Sequence, residues 1–92
     1  GGATADAVGE RLARVSENKQ VLVVTHAPQV AACASTHLHV QKFISADNVT
    51  HTSITPLGNT ERLEEIARML SGAEITPEAR AAANKLLDRH AA

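Results

Sequence analysis

His26 stands where an α/β protein places a ligand-touching group. It follows the apolar run Val21-Leu22-Val23-Val24-Thr25 and precedes Ala27-Pro28-Gln29-Val30. In open parallel sheets, ligands bind outside the carboxyl ends of strands. A helix starting just beyond would aim free N–H groups at the same crevice, which favours an anion such as phosphate. A neutral imidazole there can hydrogen-bond a phosphate oxygen or a polarised water. The bland reading is a histidine that closes a strand and bonds a backbone carbonyl. A second constellation is His37, His39 and His51. Residues 37 and 39 share one face of a strand, and a hairpin could bring His51 beside them. Three imidazoles can hold Zn²⁺; the alternative is the solvated polar face of an edge hairpin.

Other catalytic patterns are missing. The chain has no G-x-x-x-x-G-K-[ST] and no G-x-G-x-x-G, and no G-x-S-x-G elbow. Glu64-Glu65 are adjacent on a predicted helix and face different ways, so they read as a solvated surface. Cys33 lies in an Ala-rich stretch and reads as core packing, not as a nucleophile. Met69 reads as core.

The elements that must position His26 follow from periodicity. Thr4 is expected as an N-cap with Asp6 in the first helical turn. Ala5, Val8, Leu12 and Val15 then form one helix face. Val21 to Thr25 is continuous and β-branched, as strands buried on both faces are. Pro28 suits the first turn of a helix over Gln29 to Ala34. Leu38 and Val40 alternate with His37, His39 and Gln41, and Ser45-Ala46-Asp47-Asn48 is a turn cluster, so Thr36–Ile44 and Val49–Thr55 form an antiparallel hairpin. Leu63, Ile66, Ala67 and Leu70 mark a helix over Thr60–Leu70. Thr76-Pro77-Glu78 opens a last helix to about His90, with Ala79, Ala82, Ala83, Leu86 and His90 on one face.

Bulk properties narrow the class. The chain has 92 residues, one Phe and no Trp or Tyr. A chain this size buries roughly 60–65% of its unfolded surface, and without aromatic residues the core is thin. A piece that leans on missing partners is expected. Net charge is −1 with no basic cluster, so direct nucleic-acid binding by this segment is not expected. A single cysteine excludes an internal disulfide and fits a reducing compartment. No signal peptide is found. No apolar run approaches the ~20 residues of a membrane span. A cytoplasmic protein is expected.

Two strings carry a resemblance. Gly1-Gly2-Ala3-Thr4-Ala5, the first helix and Gln20 through Thr25-His26-Ala27-Pro28-Gln29-Val30-Ala31 resemble the C-terminal part of the RecN family of bacterial DNA repair proteins. Arg62-Leu63-Glu64-Glu65-Ile66-Ala67-Arg68-Met69-Leu70-Ser71-Gly72 does so too. The family is similar to SMC proteins, with an ABC-type ATPase head split by a long coiled coil. The resemblance implies an α/β fold: a C-terminal fragment of an ABC-type P-loop NTPase head, with a central buried parallel strand, an antiparallel hairpin and flanking helices. Residues 1–92 would be one partial domain. Its parts would be the D-loop tail, helix, strand and switch-histidine segment (1–35), the hairpin (36–56) and two closing helices (57–92).

The same likeness makes Gly1 and Gly2 the tail of the D-loop. It makes His26 the switch histidine that approaches the γ-phosphate and attacking water, with Thr25 and Gln29 flanking it. ATP and Mg²⁺ would serve the intact protein in double-strand-break repair and recombination. The Walker A, signature and Walker B motifs are not in this chain, so by itself it is expected to bind no cofactor and to be inactive. Expected partners are the remaining half of the head and a second head in an ATP-dependent dimer. DNA would be bound by the intact protein through other segments, without a membrane, and the nucleoid would be its site on DNA damage. The other readings are a non-catalytic interaction module presenting the Thr60–His90 helices, and a zinc domain built on the three histidines.

Overall fold

A computed structural model describes residues 1–91. The elements run α1 (Gly2–Ser16), α2 (Pro28–Ala31), β1 (Leu38–Ile44), β2 (Thr50–Pro56), α3 (Asn59–Ser71) and α4 (Pro77–Arg89).

The two C-terminal helices follow local sequence rules. Thr76 accepts a hydrogen bond from the Ala79 N–H at 3.0 Å and Pro77 occupies the first turn, as the N-cap and N1 preferences require. Before α3, the Glu61 carboxylate reaches back to the Gly58 N–H at 3.2 Å. That is the acidic half of a capping box, and glycine has no side chain to return the other half. The apolar faces of α3 and α4 meet each other: Ile66, Ala67, Ala79, Ala83 and Leu86 are buried together with Ala31 and Ala32. Ala82, expected on that face, points to solvent. Arg80 clasps Glu64 with two hydrogen bonds, of 2.8 and 3.0 Å, across the α3–α4 pair.

Helix α1 departs from expectation at both its start and its face. Gly1 is the N-cap and the helix begins at Gly2, so Thr4 lies inside it and Asp6 beyond the first turn. A threonine cap is worth only about 1 kcal/mol, and extending the helix through Gly2 gains backbone bonds such as Ala5 N–H to Gly1 carbonyl, 3.1 Å. Val8 and Val15 are 46% and 49% exposed, whereas Gly9 is the buried residue. The reason is close approach. A Cβ at Gly9 would stand 2.7 Å from Cys33 Sγ, 3.1 Å from the Gln29 carbonyl oxygen and 3.3 Å from Val30 Cα. The helix turns its glycine, not its valines, toward α2.

The hairpin forms over the expected segments, with Val40 opposite Ile54 and Phe43 opposite His51. Its facing is the reverse of the one the alternation predicts: His37 and His39 are half-buried, whereas Leu38 and Val40 are 42% and 56% exposed. Its strands start two residues after Thr36 and one after Val49. Asn48 adopts φ 64° and donates its N–H to the Ser45 carbonyl at 2.9 Å. That is a tight turn followed by a left-handed residue, a position asparagine tolerates.

The central buried parallel strand is not formed. Val21 to Thr25 has no strand partner, and the described sheet contains only β1 and β2. Leu22 is 82% exposed and Val24 95%. A both-face-buried strand needs neighbouring strands on its edges and helices over its faces. The hairpin strands pair with each other because their short turn makes closure inexpensive in chain entropy, and no other strand lies among the described residues.

His37 closes the base of the hairpin, where its carbonyl accepts the Leu57 N–H at 2.9 Å. Its Nδ1 is buried without a partner. Burial first, then the nearby Arg62 and His39 charges, hold the imidazole below its ordinary value of 6.5, with Glu65 opposing. The folded state therefore prefers neutral His37.

Two outcomes follow. Gly9→Ala should lower stability in urea unfolding by about 1–3 kcal/mol, the usual range for overpacking, although alanine favours helix. Gly1→Ala, with nothing near its Cβ, should change little; equal effects at both positions would remove the close-approach argument. The second outcome concerns pH. A depressed histidine value means that the unfolded chain binds more protons, so His37 contributes stability above about pH 6.5 that is lost as pH falls. Between about pH 7.5 and 5.5 the urea midpoint should fall less in His37→Gln than in the parent. An identical fall in both would exclude His37.

Candidate functional site

The turn that presents His26 is local. Thr25 Oγ1 accepts the Ala27 N–H at 3.0 Å, a side-chain-to-backbone turn of the kind threonine forms readily. Ala27 then takes an extended conformation as N-cap, and Pro28 fixes the first residue of α2. His26 is left exposed at the bend. Behind it lies an open cavity of about 660 Å³, lined by Leu12, Val23, Val30, Leu38 and Met69 as well as by His26. The unpaired apolar run therefore drapes over space, not over a packed core.

Gly2 lies beside the same helix: a Cβ on it would stand 3.4 Å from Gln29 Nε2. The start of α1 thus meets α2 three residues beyond His26. Gly1 caps α1 in open surroundings. The expected Gln29–Ala34 helix is shorter, at Pro28–Ala31. One turn of helix carries little macrodipole, so the anion attraction expected of its N-terminus is weak.

What holds α2 is a long-range contact. Arg62 Nη2 on α3 donates to the carbonyls of Ala31 (3.1 Å), Ala32 (3.4 Å) and Ala34. These are end-of-helix acceptors, which a cation suits. Burial pulls the guanidinium below its ordinary value but leaves it charged. On the other side, Cys33 donates its S–H to the Gln29 carbonyl at 3.2 Å and sits 3.5 Å from His90 Nε2. Burial, then Glu10 and Asp6, push its thiol up. A protonated thiol is a poor nucleophile, so Cys33 acts as packing between helices.

The three hairpin histidines are not brought together. His39 Nε2 meets Glu65 Oε2 at 3.2 Å. His51 stacks on Phe43 at 5.1 Å between ring centroids and hydrogen-bonds Ser45 Oγ at 3.1 Å. His51 faces Phe43 in register, four residues along the strand from His39, or about 13 Å at the usual rise. Among the described residues, no three His, Cys, Asp or Glu side chains are grouped to hold a metal. Ser45 also donates to Asp47, but the serine stands between acid and imidazole. A nucleophilic triad needs the histidine in the middle.

Half of the acidic pair differs from expectation. Glu64 lies on the solvated surface, where it pairs with Arg80, but Glu65, with its side chain only 10% exposed, is shared by Arg68 and His39. No local signal marks Glu65 or Arg62, because their partners across the fold lie far away in sequence. The Thr60–His90 helices spend their apolar faces on each other and on α2, which leaves little for an interaction module to present.

A nucleotide with Mg²⁺ needs a phosphate cradle, a cation and metal-binding oxygens. The cavity beside His26 has largely apolar walls with some serine, threonine and histidine, and its charged members Glu65 and Arg68 are spent on each other. The residues described do not by themselves fit that ligand. No helix among them is long and apolar enough to cross a membrane.

No protein-family model matches the chain. Individual relatives do. The DNA repair protein RecN of Xylella fastidiosa (strain 9a5c) is 55% identical over 87 residues. RecN of Haemophilus influenzae is 47% identical over 87 residues, and RecN of Bacillus subtilis 43% over 86. Each match covers 94–95% of this chain and 15% of the relative. The chain is thus homologous, over nearly its whole length, to a segment spanning about 15% of DNA repair protein RecN.

Proposed function

We propose that the chain is the C-terminal segment of a RecN-like ATPase acting in DNA double-strand-break repair and recombination. In this reading His26 is the switch histidine of an SMC-like, ABC-type head, and Gly1-Gly2 the tail of its D-loop. One observation carries the reading: a RecN-like sequence that holds an unpaired apolar run, Val21–Thr25, ending in an exposed imidazole. Such a run is what a parallel strand looks like without its neighbours. The open cavity beside it is the volume that those neighbours and their side chains would occupy.

ATP and Mg²⁺ belong to the intact protein, whose other segments supply the cradle, metal ligands and catalytic acid. The partners are the rest of the head and a second head. DNA is contacted elsewhere, since this segment carries a net charge of −1 and no basic cluster. The working site is the bacterial nucleoid. The contribution of this chain is the imidazole and the element that aims it.

In the whole protein, His26→Ala should lower ATP turnover by about 10²-fold or more, the scale of a lost proton-handling or charge-stabilising group. Phosphate release measures it, and unchanged turnover would take His26 out of the mechanism. The 92-residue chain alone should show no micromolar ATP binding by calorimetry. A micromolar site would contradict a composite one.

A further inference from the structure

We infer that Arg62 is the positioning residue for His26: its guanidinium clamps the end of α2, and α2 sets where the imidazole is presented. The inference rests on the ATPase reading above for its consequence, but its geometry stands independently. Pro28, the first residue of α2, is two positions from His26, and the helix has only four residues. One turn is too short to hold itself in place. Its last carbonyls and those just beyond it, of Ala31, Ala32 and Ala34, converge on one Nη2 of Arg62. Arg62 stands on α3, which is itself fixed by burial of Ile66 and Ala67 against α4.

The opposite side of α2 is pinned by close packing. Gly9 and Cys33 interlock there, and Cys33 reaches His90. With one wall fixed by α1 and Ala31 and Ala32 seated on the α3–α4 core, the guanidinium fixes the end of α2 against α3. Removing it would leave the Ala32 and Ala34 carbonyls without their protein donor, the Ala31 carbonyl keeping the Ala34 N–H, and a one-turn helix relieves such a loss by shifting. The shift is passed to His26 through Pro28 and the Thr25–Ala27 turn.

A double-mutant cycle in the whole protein tests this. Arg62→Ala should lower kcat for ATP hydrolysis about tenfold with KM nearly unchanged, since positioning acts on the reacting geometry. Arg62→Lys, which keeps the charge and the N–H donors on a side chain one atom shorter, should recover part of the loss. In a His26→Ala background, Arg62→Ala should cause no further loss. An additive loss there would overturn the inference, because general destabilisation does not depend on His26. If Arg62→Ala fails to fold, Arg62→Lys carries the same cycle. Hydrogen exchange in the whole protein separates the two ideas. The amides of residues 30–34 should lose protection about tenfold in the Arg62 variant while those of α4 do not. Should His26→Ala leave turnover unchanged, the ATPase reading falls and exchange alone decides the clamp. Unchanged protection overturns it in either case.

Discussion

One guanidinium joins the two halves of this chain. The N-terminal part, α1 and α2, meets the α3–α4 pair chiefly through α2. Ala31 and Ala32 pack there on the core, and Arg62 binds the carbonyls beside them. Alanine methyls bury little area, so apolar contact alone would hold this junction weakly. A half-buried charge donating to three carbonyls supplies direction as well as attraction. The exposed Arg89–Asp6 pair at 3.6 Å adds little, as surface ion pairs do.

The core is small in a specific sense. Ile66 is its one large fully buried side chain among the described residues, and its other members are mostly alanine. Several larger apolar residues lie outside it: Leu22 and Val24 on the unpaired run, Val40, Ile44 and Ile54 on the hairpin. Scattered apolar exposure is ordinary, but clusters of this kind mark contact surfaces. Val23 and Leu38 line the same open cavity, so the two apolar regions border one volume.

The elements legible in sequence are those whose causes are local. The α4 start was readable because Thr76, Pro77 and Glu78 act within one turn. The hairpin's segments were readable because the Ser45–Asn48 cluster closes two β-rich runs over five residues, although the face their alternation turns inward is the exposed one. The Val21–Thr25 run shows the limit. Its composition announces a buried strand, yet pairing is a property of neighbours, and without them the same residues stand in solvent. The α1 face failed for a related reason. Periodicity weighs side-chain bulk, whereas Gly9 packs through having none.

The position of His26 after an apolar run and before a helix-starting proline was set by sequence alone, and so was the likeness to RecN. Thr25 and Pro28 shape that bend through bonds and sterics within three residues. Only the tertiary structure decided what holds the bend in space. Arg62 meets Ala31, Ala32 and Ala34 across 28 to 31 positions, and Glu65 meets His39 across the hairpin base. Such pairings leave no periodic trace, because they depend on how separate elements come to rest against one another.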